Sequence, residues 1–501
     1  MFPGIDPRRC LSALLALALA LASPVAGGQG ALTPSTASDN LPRLGDAGGE
    51  ELSPAAERRL GETIMRDLRR DPDVSDDVEA SEYLNRLGTL LGGTPGANGF
   101  LLEFFLVLDS SLNAFALPGG YIGVHSGLIV AAQSESELAS VLSHEIGHVT
   151  QRHIARMLAA QRQTSMMTLA AAVLGALAAR SNPQAMAGIV TMAGGAQMQQ
   201  MLAFSRDAER EADRVGMETL RNAGFEPAGM VSFFTRLQQS SRIYESAAPG
   251  YMRSHPLTAE RIADMQSRAQ EVRYRQRPDS IDFRLMRAKL RALTTPTVDG
   301  LSGMRAQFER QLRDRSTHDE LAAWYGLAVV ALAQRDFAAA DRAVQETRRR
   351  LPAGHAAIER LAADIRLRSG DAAGALALAE AGAGRFVGAR ALIHLQAEAL
   401  LALSEPARAE RFLQDQIALY RADPKLWQLL AKAHNGLNQT ALAHRATAEE
   451  YALGGRWLAA IEQLRLAQRS GTLDFYTGSL VDARTKEFQA EYQREQKEKT
   501  R

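Results

Sequence analysis

The stretch SVLSHEIGHVTQRH, residues 140–153, places three histidines and a glutamate within ten residues. His144 and His148 are four residues apart, so on a helix their side chains project about 40° from each other and can bind one ion. Glu145 is rotated by about 100° and points to the water beside that ion. The spacing H-E-x-x-H therefore predicts a metal site. The alternative is a buried helix whose histidines are satisfied by hydrogen bonds.

These three side chains would divide the chemistry of peptide hydrolysis between them. Neutral imidazoles hold Zn²⁺ without cancelling its charge, and a water in an open coordination position has its pKa lowered toward 7. Glu145 would remove a proton from that water as it attacks the scissile carbonyl, and would pass it to the leaving amine. This interpretation requires one zinc ion per chain and no covalent intermediate.

A third protein ligand must come from elsewhere in the chain. His153, five residues after His148, would lie about 140° around the same helix, so we expect it to face away from the metal. A better candidate lies in FSRDAEREADRVG, where Glu209 and Asp213 are four residues apart. One carboxylate can bind zinc while the other accepts the free N–H of a ligating histidine. The alternative is a charged, solvated face, since Glu211 and several arginines lie in the same stretch.

Two strands are predicted before the motif. FLLEFFLVLDSS and GGYIGVHSGLIV are rich in apolar, β-branched and aromatic residues, and LNAFALPGG separates them, which indicates two strands joined by a turn. We expect Asn113, Gly119 and Gly120 to shape an edge strand that pairs with an extended substrate backbone. His125, within the second run, is favoured as a structural residue over a residue of the substrate cleft.

Two helices are predicted to carry the site. The tetrapeptide Ser134-Glu135-Ser136-Glu137 matches a capping box and opens a helix that runs through residues 140–153. The second helix carries Glu209 and Asp213 and ends at Gly224, which Phe and Pro follow. These helices would present imidazoles and carboxylates to one another.

The N-terminus has the layout of a secretory signal peptide over residues 1–26. Two arginines precede an apolar run, residues 11–22, and small residues follow it. The run is too short to favour a membrane-spanning helix, and the alternative is an uncleaved anchor. Residues 27–50 are rich in Gly, Ser, Thr, Pro and Asp and are expected to form a flexible leader. Cleavage would also remove the only cysteine, Cys10, which suits an oxidising compartment such as a bacterial periplasm.

Charge and length narrow the class of protein. Lys plus Arg number 58 and Asp plus Glu number 57, so no global field points to nucleic acid as a partner. A chain of 501 residues with 46% hydrophobic residues is long enough for two or three domains.

The apolar stretch 166–196 breaks into two halves, each shorter than a bilayer span. It is predicted to form a helical hairpin over the domain, and the alternative is a membrane-embedded protease.

The C-terminal part repeats at the period of tetratricopeptide units. WYGLAVVALAQRDFAAADRAV matches that pattern, with Ala328 packing the first helix of the unit and Ala340 the second. If this unit starts at residue 321, the next ones begin near 355, 390 and 424, at spacings of 34, 35 and 34 residues. We therefore predict an all-α tetratricopeptide solenoid over residues 276–475. The charged tail, 476–501, is expected to be a solvated helix or disordered.

Four motifs occur in the order NAFALPGGYIGVHSGLI, HEIGH, FSRDAEREADRVG and SHPLTAERI, and the repeats follow them. In this arrangement the chain resembles the periplasmic BepA-type beta-barrel assembly-enhancing zinc metalloproteases. These belong to the gluzincin family that includes HtpX and the CaaX prenyl endopeptidase. The resemblance covers nearly the whole chain after the signal peptide. It implies an α+β zincin-like metalloprotease domain over residues 51–275, mostly helical with a small β-sheet, followed by the solenoid.

The resemblance also implies roles for single residues. The glutamate of E-x-x-x-D, here Glu209, would be the third zinc ligand, and Asp213 would support a ligating histidine. His255, in SHPLTAERI, would cap the zinc as a fourth ligand and leave the enzyme latent until it is displaced, or would stabilise the transition-state oxyanion. On the residues alone, His255 would be a turn histidine before Pro256.

These observations predict a periplasmic zinc endopeptidase, soluble or peripherally associated with the membrane. By resemblance it would act on unfolded proteins and on misassembled outer-membrane β-barrels. The β-barrel assembly machinery and outer-membrane protein precursors would be its partners, and a chaperone role in assembly is also implied. The alternative is a non-proteolytic tetratricopeptide scaffold with a structural or capped zinc site. Glu145 argues against that alternative, because a structural site has no use for a glutamate beside the water position.

Overall fold

A computed structural model describes most of the chain: residues 52–97, 99–160, 206–243, 251, 255–271, 277–314, 319–470 and 473–499. The predicted signal peptide, the predicted leader and the predicted apolar hairpin lie outside these residues. Over the part that is described, no helix combines the length and the hydropathy that a membrane span requires.

The chain divides into two compact units. The first comprises the residues up to Ser75 together with Leu84–Asp279, and the second comprises Asp76–Tyr83 together with the residues from Ser280 onward. The division at residue 279 lies close to the boundary at 275–276 that the sequence predicts. The predicted fold class, a mostly helical domain with a small sheet followed by helical repeats, is confirmed.

The segment Asp76–Tyr83 belongs to the second unit for an electrostatic reason. Lys289 is only 7% exposed, and its Nζ lies 2.5 Å from a carboxylate oxygen of Asp77 and 2.5 Å from one of Glu79. A buried ammonium group is costly unless carboxylates neutralise it. These ion pairs join parts of the sequence about 200 residues apart, so no local pattern reveals them.

The first unit contains a three-stranded sheet and helices on either side of it in sequence. Its elements are α1 (Pro54–Leu68), α2 (Val78–Gly92, whose first residues belong to the second unit), β1 (Glu103–Val107), β2 (Ala114–Leu117), β3 (Tyr121–His125), α3 (Ser126–Ala131), α4 (Glu135–Thr150), α5 (His153–Ala160), α6 (Arg206–Asn222), α7 (Ala228–Ile243) and α8 (Ala259–Gln270).

The sheet has the order β1-β3-β2, with β1 parallel and β2 antiparallel to β3. The sequence predicted two strands joined by a turn, and the structure corrects this in two places. The supposed turn contains β2, whose four residues are all buried, and the end of the second run forms α3 instead of continuing the strand. Residues 126–131 form a helix because Leu128 and Ile129 pack into the core from it, and such packing overrides a weak strand propensity.

Helix α4 begins as predicted and ends earlier than predicted. The Ser134 hydroxyl accepts a hydrogen bond from the Glu137 N–H at 3.2 Å, which confirms the N-terminal cap. The helix stops at Thr150, because Arg152 adopts a left-handed backbone conformation with φ of 52°. The prediction that one helix runs through His153 was therefore wrong, since His153 begins the next helix, α5.

Helices α4 and α6 pack closely because each has a glycine at the contact. A Cβ on Gly147 would lie 2.9 Å from the Ala212 carbonyl oxygen, and one on Gly216 would lie 2.9 Å from the His144 amide nitrogen. Real Cβ atoms do not approach so closely, so larger residues would push the helices apart. The glycines therefore allow the carboxylates of α6 to reach the histidines of α4.

The second unit is built from helices after the segment Asp76–Tyr83. They are α9 (Ile281–Ala292), α10 (Val298–Arg313), α11 (Glu320–Ala333), α12 (Phe337–Arg350), α13 (Ala356–Arg368), α14 (Ala372–Arg385), α15 (Arg390–Ala402), α16 (Pro406–Leu419), α17 (Pro424–Gly436), α18 (Thr440–Leu453), α19 (Trp457–Arg469) and α20 (Phe475–Lys499).

Backbone and packing repeat along this unit at the predicted period. In four successive pairs, the turn after the first helix contains a residue with positive φ, and the fourth residue of the second helix is a buried alanine. These turn residues are Arg335, Gly370, Ser404 and Asn438. The buried alanines are Ala340, Ala375, Ala409 and Ala443. Regular spacing of both features supports helical repeats of the kind that the sequence predicts.

The C-terminal segment packs as the last helix of the second unit. The sequence favoured a solvated helix or a disordered tail after residue 475. In α20, Val481 and Phe488 are buried and belong to one hydrophobic cluster with Ile461 and Leu464 of α19. This helix covers the apolar end of the stack, as terminal repeats commonly do.

Candidate active site

Helices α4 and α6 bring the predicted site residues together in the first unit. His144, Glu145 and His148 of α4 have no exposed surface, and Glu209 and Asp213 of α6 are at most 2% exposed. Charged and polar side chains this deeply buried require partners. Their arrangement is therefore determined by their contacts with one another.

Four side chains direct donor atoms to one point. The Nε2 atoms of His144 and His148 are 3.0 Å apart, and each lies 3.5 Å from an oxygen of Glu209. His255 Nδ1 lies 3.3 Å from His144 Nε2 and 2.9 Å from Glu209 Oε1. Among the described residues, these four form the group whose donor atoms could hold a metal ion.

The donor separations fit a tetrahedral metal ion. With bonds of about 2.0–2.1 Å, such an ion holds its ligand atoms about 3.4 Å apart. His144 Nε2 has three donor atoms within 3.5 Å, from His148, His255 and Glu209. A single N–H on that nitrogen can serve only one of them. A cation at the centre satisfies all four side chains, so the residues fit zinc.

The surroundings of His144 favour positive charge. Burial alone lowers the pKa of His144, but the neighbouring carboxylates of Asp213 and Glu209 outweigh it and raise the pKa to about 9. Asp213 Oδ1 lies 3.0 Å from His144 Nδ1, on the opposite side of the ring from the donor cluster. The field that stabilises a proton on His144 also stabilises a cation held by its Nε2.

Arg261, in the first turn of α8, balances the two carboxylates of α6. It donates hydrogen bonds to both oxygens of Asp213, at 2.7 and 2.8 Å, and its Nη1 lies 2.7 Å from Glu209 Oε2. It also donates to the Pro256 carbonyl oxygen at 2.8 Å, next to His255. Burial raises the pKa of both carboxyl groups, but the cationic partners, including Arg261, outweigh burial and lower it.

Glu145 lies beside the donor cluster and outside it. Its Oε1 is 3.6 Å from His255 Nε2, and neither oxygen makes a hydrogen bond of ordinary geometry within the described residues. Burial raises the pKa of Glu145, and this outweighs the opposing effects of His255, His144 and the Ala116 amide. A carboxylate that is buried, unsatisfied and raised in pKa has the properties of a general base.

His255 is placed between Glu145 and the donor cluster. Its ring stacks on Tyr251, with the centroids 4.6 Å apart, and its backbone N–H donates to the Tyr251 carbonyl at 2.8 Å. Tyr251 in turn donates its backbone N–H to the Leu112 carbonyl at 3.1 Å. Thus one ring nitrogen of His255 faces the cluster while the other faces the predicted base.

The predicted edge-strand residues lie at the two ends of β2. Asn113 precedes the strand and is buried, while Gly119 and Gly120 follow it with φ of 76° and 86°. β2 is an edge strand of the sheet, and the backbone amide of its Ala116 acts to lower the pKa of Glu145. The strand therefore lies beside the predicted base, and its pairing with substrate stays a prediction.

His125 and His153 both have partners in the first unit. His125 is buried, and its Nδ1 lies 2.8 Å from the Ser111 hydroxyl, which supports the structural interpretation. His153 lies outside the group of metal donors, as predicted, but it is on α5 and not on the far face of α4. Its Nδ1 lies 2.9 Å from His148 Nδ1, because the helix breaks between them.

Comparison with known proteins identifies the family. The profile of Peptidase family M48 matches residues 93–269. Over 467 residues, the chain is 33% identical to the beta-barrel assembly-enhancing protease of Escherichia coli (strain K12), covering 91% of this chain and 92% of the relative. The chain belongs to the family of the beta-barrel assembly-enhancing proteases. The member from Yersinia pestis is 32% identical over 484 residues, covering 94% of this chain and 95% of the relative.

The catalytic class follows from this membership. Metalloprotease LoiP of Escherichia coli (strain K12) is 27% identical over 231 residues, covering 46% of this chain and 84% of the relative. The protein is a zinc metalloendopeptidase, and proteases of family M48 use zinc. The predicted resemblance and enzyme class are confirmed. The individual roles of His144, His148, Glu209, Asp213 and His255 stay predictions that the geometry supports.

Sequence reasoning missed Arg261, Tyr251 and the contact between His153 and His148. Arg261 lies in the motif SHPLTAERI, six residues after His255, but spacing on a short helix does not show which carboxylate an arginine contacts. A buried arginine is rare unless it is paired. The position of Arg261 in a motif that already contains a predicted site residue was the sequence signal that could have indicated its role.

Proposed function

We propose that this enzyme degrades unfolded or misassembled outer-membrane β-barrel proteins in the periplasm. One observation carries the proposal: a buried cluster of four metal donors with Glu145 beside it and an edge strand next to Glu145. The relatives that cover nearly the whole chain are named beta-barrel assembly-enhancing proteases. That name supports barrel proteins as the substrate class.

His144, His148 and Glu209 would hold the zinc, which when bound polarises the scissile carbonyl and lowers the pKa of water. Glu145 would take the proton of the attacking water and pass it to the leaving amine. β2 would bind the substrate backbone as an added strand, which requires an extended and therefore unfolded substrate. Folded barrels present no such free segment, so the geometry would select unfolded chains.

His255 would keep the enzyme latent. Its Nδ1 lies among the donor atoms, so it is placed to be a fourth ligand that closes the position that water needs. If the open form is a minor state, populated to 10% or less, His255→Ala should raise cleavage of an unfolded protein about tenfold or more. Zinc content and initial cleavage rate measured on both proteins test this. Unchanged zinc binding together with unchanged activity would contradict the latency proposal.

The helical repeats would bind the β-barrel assembly machinery or a barrel precursor. Tetratricopeptide repeats form extended concave binding surfaces, so the second unit supplies the kind of scaffold such a partner requires. Through this binding the protein would also assist assembly as a chaperone. The periplasmic location would follow from cleavage of the signal peptide predicted over residues 1–26.

A cleavage assay with two forms of one barrel tests the proposed substrate class. We expect an unfolded outer-membrane β-barrel protein to be cleaved and the same barrel folded in detergent micelles to resist. Removing zinc with a chelator should abolish cleavage, and adding zinc back should restore it, because the metal activates the water. An unrelated unfolded protein of similar length is the control. Equal cleavage of the control and the barrel would argue against a barrel preference.

A further inference from the structure

The two histidines of the HEIGH motif are supported in different ways on the side away from the donor cluster. His144 Nδ1 lies 3.0 Å from the Asp213 carboxylate, the usual kind of partner for a zinc-binding histidine. His148 Nδ1 lies 2.9 Å from another imidazole nitrogen, Nδ1 of His153. The two rings meet edge to face, with centroids 4.9 Å apart.

His153 is held in turn by a carboxylate of α6. Its Nε2 lies 3.0 Å from Glu211 Oε2, and Arg156 donates to the same oxygen at 2.7 Å. His153 is 2% exposed, and burial lowers its pKa despite the hydrogen bond to Glu211. The Glu211 carboxylate can only accept a hydrogen bond, so Nε2 of His153 is the donor in that contact and Nδ1 is left to accept from His148.

The backbone is arranged to bring His153 to this place. On an uninterrupted helix, His153 would lie about 140° around from His148 and would not reach it. The left-handed conformation of Arg152, with φ of 52°, ends α4 and turns the chain back. Such a conformation is strained for a residue other than glycine and persists where surrounding contacts enforce it. Here Arg152 donates to the Leu52 carbonyl at 2.6 Å and to Glu57 at 3.3 Å.

We propose that His153 is a positioning residue for His148, with Glu211 orienting His153. His148 Nδ1–H donates to His153 Nδ1, and His153 Nε2–H donates to Glu211. These two hydrogen bonds fix the tautomer and the ring plane of His148, so that its Nε2 faces the donor cluster. Helix α6 then carries both Glu209, a predicted zinc ligand, and Glu211, which accepts the second of these hydrogen bonds. The inference rests on the proposed metal site.

Zinc affinity of matched variants tests the inference. His153→Leu introduces an apolar side chain of similar volume and removes the acceptor, so zinc affinity should fall about 10–100-fold. His153→Asn places an amide oxygen near the position of Nδ1, so it should bind zinc nearly as tightly as wild type. Glu211→Ala should give a smaller loss than His153→Leu. Competition with a chromogenic chelator measures the affinities, and thermal unfolding of the zinc-free proteins checks the fold.

The outcomes separate this inference from the proposed metal site. Wild-type affinity in His153→Leu would overturn it, and so would equal losses in the leucine and asparagine variants, because packing alone would then explain them. If the leucine variant fails to fold, Glu211→Ala still tests the inference, because Glu211 is partly exposed and its removal should leave the fold intact. Unchanged zinc affinity in Glu211→Ala would refute the role of Glu211 and His153 in orienting His148. A wild-type protein that binds no zinc would overturn the proposed site itself.

Discussion

Glu145→Gln should lower kcat for cleavage of an unfolded protein by about 10²–10⁴-fold, the usual contribution of a general base. The amide occupies nearly the same volume as the carboxylate but cannot take a proton from water. Because Glu145 lies outside the donor cluster, 3.6 Å from His255, zinc content should not change. Initial rates at saturating substrate measure the loss, and metal analysis of the same samples shows that the site is loaded.

Stability provides a second readout for this variant. Burial raises the pKa of Glu145, so the folded state binds its proton more tightly than the unfolded state does. The ionised carboxylate then lowers the free energy of unfolding as pH rises above the ordinary pKa of glutamate. Removing the charge should leave the unfolding temperature at neutral pH equal or higher. A loss of activity accompanied by lower stability would point to damage of the fold instead of loss of the base.

Glu218→Gln is the matched control for Glu145→Gln. Glu218 lies on α6 with an exposed side chain, so the same chemical change there should leave kcat and zinc content as in wild type. Equal turnover by wild type and Glu145→Gln would refute the assignment of Glu145 as the base. It would also revive the alternative of a non-proteolytic scaffold at this site.

Local patterns predicted the parts of the site that local geometry determines. The spacing of four between His144 and His148 places both on one helical face, and the structure has them on α4 with their Nε2 atoms 3.0 Å apart. Glu209 and Asp213 were found by the same rule on α6. The N-terminal cap at Ser134 was also predictable, because a capping box is a contact within one turn.

What the sequence did not reveal depends on contacts between distant segments. Helical spacing placed His153 on the far side of α4, since no local signal shows that Arg152 leaves the helix. β2 was taken for a turn, because four residues followed by Pro-Gly-Gly resemble a loop until β3 pairs with them. Arg261 is separated from Asp213 by 48 residues, and its role required the packing of α8 against α6.

Arg261→Met should destabilise the first unit by about 3–5 kcal/mol, the usual cost of removing one partner from a buried ion pair. Methionine fills part of the space but leaves Asp213 and Glu209 without the cation that contacts both. Loss of Arg261 would raise the pKa of both carboxyl groups and weaken the contact of Asp213 with His144. Zinc affinity should therefore fall as well. Urea denaturation followed by circular dichroism and a chelator competition measure the two effects.

Two further variants separate charge from geometry at this position. Arg261→Lys keeps the charge but lacks the planar pair of N–H groups that binds the two oxygens of Asp213 side by side, so its loss should lie between wild type and Arg261→Met. Arg268→Met, on the same helix, removes an exposed ion pair with Asp264 and should cost at most about 0.5 kcal/mol.

Tryptophan fluorescence shows which unit loses stability. All three tryptophans, Trp324, Trp427 and Trp457, belong to the second unit. Damage confined to the first unit should lower the midpoint seen by circular dichroism while the fluorescence midpoint stays near that of wild type. If Arg261→Met were as stable as Arg268→Met and bound zinc as tightly as wild type, Arg261 would not be the cation that holds the two carboxylates in place.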